Sequence, residues 1–319
     1  MSLIDKTAAR RAFNAAASGY DAVAVLQQEI ARRLLERLDY VRLQPRRALD
    51  LGCGTGLALD DLVRRYRGAT VIGLDFAEGM LERARRRGHW LRRPRLVCAD
   101  MESLPLADDS VDLVFSNATL QWANGLDTVF AELMRVLRPG GLLMFSTFGP
   151  DTLIELRQAW AAVDRHAHVG SFLDMHDVGD ALVRARFADP VMDAERLTLT
   201  YRTLGDLMRD LKGLGARNAL HHRPRGMTGP RRLALVEAAY DRHRRDGRLP
   251  ATWEVVYGHA WVGTKAQPQI DTGDGIGIPL HAIARPGGGR GPQTASLLGR
   301  DERTASPRPR PANLSRTGR

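Results

Sequence analysis

The segment DLGCGTG at residues 50–56 constrains the fold of this chain more than any other. Its three alternate glycines follow a short apolar run and precede Leu59, Leu62, Val63 and Tyr66, which recur at helical spacing. Glycine accepts positive φ angles and lets a ligand lie directly on the backbone. The segment therefore predicts a strand, a tight turn that can hold a ligand, and a helix.

A glycine-rich turn between a strand and a helix is typical of nucleotide-binding α/β folds. The dinucleotide fingerprint is GxGxxG, whereas the third glycine here comes one residue early, as GxGxG. This spacing favours a bound ligand that contains a nucleoside but no pyrophosphate. A dinucleotide-dependent oxidoreductase is the disfavoured alternative.

Polar side chains follow three further apolar segments that read as strands. Asp75 ends the second strand about 20 residues after the glycine turn, where such folds place the carboxylate that binds a ribose. Asp100 and Met101 follow the third strand. Asp100 could accept a hydrogen bond from an adenine amino group, and Met101 could pack against the adenine ring. Asn117 follows the fourth. Because ligands bind at the carboxyl ends of strands in open α/β sheets, we expect one site at this edge.

The second half of the chain predicts two inserted helices before a final strand. Pro139-Gly140-Gly141 should end a helix and lead into a fifth strand over residues 142–146. Helical periodicity then returns at about 203–246, ahead of a last strand over 252–262. We expect the inserted helices to form a lid over an acceptor pocket beside the strand tips.

Composition predicts a cytoplasmic protein without a metal site. Hydrophobic residues make up 44% of 319 residues, enough for a full core, and no apolar run is long enough to span a membrane or serve as a signal peptide. Cys53 and Cys98 are predicted to be buried and unpaired. The histidines His166, His168 and His176 are too irregularly spaced for a metal triad.

The formal net charge of +10 suggests an acidic partner. Nucleic acid and an acidic carrier protein are both candidates, and a compositional preference for arginine over lysine is an equally simple explanation. The cationic loop at 217–225 could contact such a carrier or its phosphopantetheine, or could be an ordinary solvated loop.

Residues 266–319 differ in composition from the rest of the chain. They are rich in glycine, proline and arginine and hold no aromatic residue. Such a segment cannot bury a core, so we predict a folded domain over 1–265 and a disordered tail over 266–319.

Taken together, DLGCGTG, the Asp75 strand end, ADMESLPLADDSVDLVFSN and LRPGG resemble the motif series of class I S-adenosylmethionine-dependent methyltransferases. The resemblance spans roughly residues 10 to 263. It implies a Rossmann-like, doubly wound α/β sheet of seven strands whose last strand is antiparallel, with S-adenosylmethionine as cofactor.

A narrower resemblance rests on FNAAASGYDAVAVLQQ, SNATLQW, AWAAVDRH and LKGLGARN. These segments are similar to those of the malonyl-acyl carrier protein O-methyltransferases of early biotin synthesis. The resemblance implies that the acceptor is the free carboxylate of a malonyl group on acyl carrier protein or coenzyme A. A carboxylate is already ionised at neutral pH, so no general base is expected.

The resemblance also implies roles for individual residues. The predicted cofactor-binding residues are Asp50, Gly52, Gly54, Gly56, Asp75, Asp100, Met101 and Asn117. The residues predicted to position the acceptor are Tyr20, Asn117, Gln121 and Trp122. The alternative for Tyr20 is packing of the helix start onto the sheet, and the alternative for Trp122 is a place in the core.

Two alternatives stay open from the sequence. One is a class I methyltransferase that acts on another small acceptor, such as a quinone precursor or a different carboxylic acid. The other is a non-catalytic module that binds the cofactor or RNA, although the chain lacks the interleaved aromatic and basic residues of a base-stacking surface. We therefore expect neither a nucleic-acid partner nor a membrane.

Overall fold

The computed structural model describes residues 3–87, 92–223, 226, 228–263, 270–271 and 276–277. The chain divides into two units, Met1–Ala266 and Gln267–Arg319. In the second unit, the described residues form two short antiparallel strands, Ile270–Asp271 and Ile276–Gly277. The rest of the tail predicted over 266–319 lies outside the described residues, so its disorder stays a prediction.

The first unit is built on a seven-stranded sheet. Its strands are β1 (Arg47–Leu51), β2 (Thr70–Asp75), β3 (Arg95–Cys98), β4 (Val111–Ser116), β5 (Leu137–Phe148), β6 (Ala188–Tyr201) and β7 (Leu249–Trp261). The spatial order is β3-β2-β1-β4-β5-β7-β6. The first five strands are parallel, and β7 runs antiparallel between β5 and β6. The predicted doubly wound α/β fold is confirmed.

Ten helices are described in the first unit. They are α1 (Lys6–Ala16), α2 (Tyr20–Val23), α3 (Val25–Arg37), α4 (Leu59–Arg65), α5 (Glu78–Ala84), α6 (Leu126–Val136), α7 (Ile154–Ala161), α8 (Met175–Arg184), α9 (Leu204–Gly213) and α10 (Pro230–Asp241). Short 3-10 turns follow α3, at Leu38–Tyr40, and β4, at Leu120–Trp122. None of these helices is long and apolar enough to cross a membrane.

The helices cover both faces of the sheet, so its central strands are buried on both sides. On one face α3, α4, α7, α9 and α10 pack against strand residues such as Leu113 and Phe115. On the other face α6 and α8 pack against Val114 and Leu143. This explains why these strands read as continuous apolar runs rather than as alternating patterns.

The fifth strand begins earlier than the sequence predicted. It starts at Leu137, so Pro139-Gly140-Gly141 lies inside β5 and the preceding helix ends at Val136. The pairing of β4 and β5 is irregular between Val111 and Leu113. An irregularity of this kind lets a strand contain proline and glycine, which cannot form a regular ladder in its interior.

The prediction that Cys98 is buried is wrong. Cys53 is buried in the glycine turn, as predicted, but Cys98 is exposed. The reason is topological, because β3 is the outer strand of the sheet and pairs only with β2. An apolar run does not tell a central strand from an edge strand.

The two inserted helices lie between β6 and β7, as predicted, and they pack differently. Helix α9 buries Leu204, Leu207 and Leu211 and faces a large cavity described below. Helix α10 packs on α7, and the buried Tyr240 hydroxyl donates to the carbonyl of Pro250 at 2.8 Å. Of the pair, α9 and the loop after it border the cavity.

Candidate active site

The glycine turn follows β1, and two of its glycines differ sharply in their surroundings. Gly52 has φ of 71°, and a Cβ atom there would lie 2.1 to 2.7 Å from side-chain atoms of Thr119. Gly54 has φ of 55°, and a Cβ atom there would meet nothing within 4 Å. Both line a cavity at the carboxyl ends of the strands. Gly52 is therefore required by packing, whereas Gly54 leaves room on the cavity side.

Asp75 ends β2 and accepts hydrogen bonds that hold the glycine turn in place. Its Oδ2 accepts from the Gly54 N–H at 2.9 Å, and its Oδ1 accepts from the Ala77 N–H at 2.8 Å. Burial raises the pKa of Asp75 to about 6, while these backbone donors oppose the rise. Each carboxylate oxygen accepts only one of these bonds, so the group can still accept from a ligand in the cavity.

Asp50 lies behind the turn rather than on the cavity wall. Its side chain is only 2% exposed, and its Oδ2 has no hydrogen-bond partner among the described residues. Burial, and then the charge of Asp75, raise the pKa of Asp50 to about 8. At neutral pH this carboxyl is therefore mostly protonated, next to an ionised Asp75.

The cavity itself has a volume of about 100 Å³. Nine of the eleven predicted site residues line it, namely Tyr20, Gly52, Gly54, Asp75, Asp100, Met101, Asn117, Gln121 and Trp122. The other two, Asp50 and Gly56, do not. The strand ends thus converge on one cavity, which we call the first cavity.

Helix α1, for which the sequence analysis made no prediction, also lines the first cavity through Lys6 and Phe13. Lys6 Nζ lies 2.7 and 2.6 Å from the two oxygens of Asp100, and 2.6 Å from Glu102. Phe13 of the same helix packs edge-on against Trp122 at 4.9 Å between ring centroids. The only signal in the sequence was that Lys6 is one of three lysines in an arginine-rich chain.

Tyr20 begins α2 and reaches the first cavity from the side of the glycine turn. Burial, followed by the charges of Asp75 and Asp21, raises the pKa of Tyr20 above its usual value. Its hydroxyl therefore stays protonated at neutral pH and can act as a hydrogen-bond donor.

The side-chain amides of Asn117 and Gln121 are already engaged within the protein. Asn117 donates to the carbonyl of Gln27 at 3.0 Å and accepts from the Ser146 hydroxyl at 2.9 Å. Gln121 donates to the carbonyl of Ala118 at 2.6 Å and accepts from Thr147 at 3.3 Å. These bonds fix the loop after β4, so both residues shape the cavity wall.

A second cavity of about 620 Å³ adjoins the first. The two share five lining residues, which we call the neck: Gln121, Trp122, Phe148, Ala216 and Trp253. None of the five side chains is ionisable. The boundary between the two cavities is therefore lined by uncharged side chains.

The second cavity has apolar walls and a basic rim. Leu153, Leu156, Trp160, Phe172 and Leu211 supply apolar surface. The cationic residues are Lys212 and Arg217, both exposed, and Arg223. Among the described residues, neither Lys212 nor Arg217 forms an ion pair, whereas Arg223 contacts Asp5 at 3.3 Å.

Two buried polar atoms of the first cavity's lining residues lack a partner among the described residues. They are the Oε1 of Gln27 and the Nε1 of Trp253. The sequence analysis singled out neither residue. A glutamine within a helix and a tryptophan within a strand carry no motif, and only tertiary packing brings them to the strand ends. Within the described chain, no group of three or more His, Cys, Asp or Glu side chains could hold a metal ion.

Comparison with known proteins gives the family. A model described as a methyltransferase domain matches residues 49–145. A malonyl-acyl-carrier protein O-methyltransferase of Halorhodospira halophila is 57% identical over 88% of this chain and 96% of its own length. A relative of the same name from Gallionella capsiferriformans is 52% identical over 86% of this chain and 96% of its own length. The chain belongs to the malonyl-acyl-carrier protein O-methyltransferase family.

This membership makes the chain an S-adenosylmethionine-dependent methyltransferase. A solved structure, the YcgJ protein of Bacillus subtilis, has the same fold, with a TM-score of 0.52 over 74% of this chain and 98% of its own at 16% identity.

The first cavity of this family member fits the cofactor chemically. The ribose hydroxyls need an acceptor, and Asp75 lines the cavity at the end of β2. The amino group of the cofactor's methionine end needs an acceptor, and Gln27 Oε1 is a buried acceptor with no donor among the described residues. The glycine turn leaves space where Gly54 borders the cavity. The donor and acceptor groups present therefore suit the cofactor.

Proposed function

We propose that this chain methylates the free carboxylate of a malonyl thioester carried by acyl carrier protein or coenzyme A, as an early step of biotin synthesis. The names of the similar proteins support this acceptor. The observation that carries the proposal is the neutral neck between the two cavities.

A neutral neck suits an acceptor that needs no deprotonation. Phenols and amines generally must lose a proton before or during methyl transfer, and a positioned base would then be expected at the junction. A carboxyl group titrates near pH 4 and is ionised at neutral pH. The neck supplies no ionisable group, and the Tyr20 hydroxyl nearby stays protonated.

The proposed cofactor-binding residues follow the geometry of the first cavity. Asp75 would hold the ribose, Gly54 the methionine end, and Met101 with Asp100 the adenine. When bound, S-adenosylmethionine supplies a methyl group on a positively charged sulfur, which a carboxylate oxygen can accept without losing a proton. The protein's part is to bind, orient and exclude water, and orientation alone can contribute about 7 to 11 kcal/mol.

The second cavity supports a long, partly apolar acceptor. A malonyl group at the end of a phosphopantetheine arm would pass along its apolar walls to the neck. The phosphate of that arm, or the acidic surface of a carrier protein, would lie near Lys212 and Arg217 at the rim. A cytoplasmic location and the absence of a nucleic-acid partner stay predictions of the sequence analysis.

The test is an acceptor panel followed by mass spectrometry. The protein is incubated with labelled cofactor and with malonyl-acyl carrier protein, malonyl-coenzyme A or free malonate. We expect the malonyl thioesters to gain one methyl group, with free malonate a poor acceptor, and Asp75→Ala to abolish the transfer. Cofactor binding with no transfer to any malonyl compound would reject the proposed acceptor and favour another small molecule, such as a quinone precursor.

A further inference from the structure

Trp253 is the one residue of the neck that combines deep burial with an unused hydrogen-bond donor in the described structure. Its side chain is 4% exposed, and its indole Nε1 is buried without a partner. A buried donor without a partner is costly in a folded protein, and most such groups are satisfied. Because Trp253 also lines both cavities, its unused donor is a candidate to bind a ligand that accepts a hydrogen bond.

The register of the sheet puts Trp253 where an acceptor would lie. Strand β5 ends at Phe148, which pairs with Val255 of β7. Trp253 precedes Val255 by two residues in β7. Because the two strands are antiparallel, it lies beyond their last residue pair, on the side where β5 ends. Strand β7 thus carries its indole past the carboxyl end of a parallel strand, the edge at which ligands bind in such sheets.

Neighbouring aromatic rings hold the indole in place. Its ring lies 5.1 Å from that of Phe148 at an interplanar angle of 52°, and Phe148 packs edge-on against Phe172 at 5.9 Å. Both Phe148 and Trp253 border the two cavities. Fixed aromatic packing means that a hydrogen bond from the indole costs little loss of side-chain freedom.

We propose that the indole N–H of Trp253 donates to the carboxylate of the acceptor and selects acceptors that carry this charge. The inference rests on the proposed function, because it names the group that recognises the malonyl end. One carboxylate oxygen would accept from the indole, which leaves the other oxygen to receive the methyl group.

A neutral donor suits this task better than a cation would. An arginine or lysine in contact with the carboxylate would hold it more strongly but would also withdraw charge from the oxygen that must react. The indole orients the anion without carrying a charge and has no acidic proton to lose at ordinary pH. The cationic residues of the second cavity are at its rim and outside the neck.

The test uses Trp253→Phe, which keeps an aromatic ring and removes the N–H. Trp261→Phe is the matched control, since Trp261 is at the other end of β7 and lines neither cavity. A hydrogen bond to a charged group predicts a loss of about 10- to 100-fold in kcat/KM with malonyl-acyl carrier protein for Trp253→Phe. Trp261→Phe should match the wild type, and both variants should bind S-adenosylhomocysteine normally.

A binding measurement separates recognition from a merely structural role. In the complex with S-adenosylhomocysteine, Trp253→Phe should weaken the binding of malonyl-acyl carrier protein and leave that of acetyl-acyl carrier protein unchanged. In wild-type protein labelled with ¹⁵N, the indole N–H signal missing from Trp253→Phe should move downfield when the malonyl carrier is added, and not with the acetyl carrier.

The outcomes distinguish this inference from the proposed function. If the wild type transfers no methyl group to any malonyl thioester, the proposed function fails. If it does transfer the group, but Trp253→Phe is as active as the control and the indole signal does not respond to the malonyl carrier, the inference about Trp253 is wrong.

Discussion

At the scale of single residues, two glycines of the glycine turn serve different purposes: one is needed for folding and the other for ligand binding. Gly52 has positive φ, and a methyl group there would overlap Thr119. Gly54 also has positive φ, but a methyl group there would project into open space beside the first cavity. The same substitution should therefore give two different defects.

We expect Gly52→Ala to lower the free energy of unfolding by about 3 kcal/mol, from overpacking and left-handed backbone strain together. Gly54→Ala should cost about 1 kcal/mol of stability but reduce the affinity for S-adenosylhomocysteine by about 10-fold or more, since the methyl group meets the ligand. Urea denaturation and titration calorimetry measure the two quantities. Equal stability loss in both variants would contradict this assignment.

Asp50 and Asp75 predict an unusual pH dependence of the ligand-free protein. A carboxyl whose pKa is higher in the folded than in the unfolded state binds more protons when folded, at pH values between the two. The free energy of unfolding then falls as pH rises from near 4, through about 6 for Asp75 and about 8 for Asp50. Stability should decline across neutral pH.

Asp50→Asn should remove the contribution of Asp50 to this decline, which extends from near pH 4 to about pH 8, because the amide cannot ionise. The variant should then be more stable than the wild type at about pH 8. Asp127→Asn, an exposed change on α6, is the control and should keep the wild-type pH profile. Identical profiles for Asp50→Asn and the wild type, measured by urea denaturation without ligand, would show that Asp50 titrates normally.

How far the sequence predicted the site depends on where each residue lies in the chain. The positions of Asp75, Asp100 and Asn117 in the site could be predicted because each lies at or just after the end of an apolar segment that reads as a strand. Parallel strands end at the same edge of a sheet. Lys6 and Trp253 could not be predicted. They come from α1 and from the interior of β7, and only the packing of distant elements brings them to the cavities.

At the scale of elements, a short N-terminal segment contributes lining residues to both cavities. We call residues 3–6 the strap. Its Lys6 lines the first cavity, and its Ile4 lines the second. The strap pairs with the loop after α9, since Asp5 N–H donates to Ala219 O at 2.7 Å and His221 N–H donates to Leu3 O at 3.0 Å.

Asn124 clamps the strap from the loop before α6. Its side chain accepts from the Ile4 N–H at 2.7 Å and donates to the Ile4 carbonyl at 3.1 Å. Asn124→Ala should therefore speed hydrogen exchange at Asp5 and at His221 together, because both amides depend on the pairing of the strap with the loop.

Asn14→Ala is the matched control for this prediction. It also removes an asparagine acceptor, but that acceptor bonds the Gly79 N–H of α5 at 2.8 Å rather than the strap. Exchange at His221 should not change in the control. If Asn124→Ala speeds exchange at Asp5 alone, the strap and the loop open independently.

Elements were predicted best where a periodic apolar pattern was long. The glycine turn with its helix, the inserted helices and the last strand were all predicted from such patterns, whereas the antiparallel direction of that strand was implied by the family resemblance. The start of β5 was misplaced because the Pro-Gly-Gly segment normally marks a helix end, yet here an irregular pairing with β4 accommodates it. The burial of Cys98 was misjudged because an edge strand and a central strand share the same local pattern.

At the scale of the whole molecule, the net charge of +10 should speed encounter with an acidic carrier. Exposed charges are screened by salt over about 10 Å at 0.1 M. Raising the salt concentration from about 0.05 M to about 0.5 M should therefore raise KM for malonyl-acyl carrier protein by about 10-fold and leave kcat nearly unchanged. A malonyl thioester of N-acetylcysteamine, which has no carrier, should show little dependence on salt.

The double variant Lys212→Gln/Arg217→Gln should lose much of this salt dependence, because both cations lie at the rim of the second cavity. Arg64→Gln, at an exposed ion pair on α4, is the control and should keep it. Steady-state kinetics at the two salt concentrations measures the effect. An unchanged salt dependence in the double variant would place carrier docking on another surface.

The position of the transferred methyl group tests the central claim most directly. Methyl transfer at a neck without a base should give a methyl ester on the distal carboxylate, whereas transfer to the malonyl methylene carbon would require a proton to be removed. After reaction with cofactor labelled in its methyl group, the product is treated with alkali and analysed by mass spectrometry. The account predicts that the label is released as methanol. Label retained on the carbon chain as methylmalonate would contradict it.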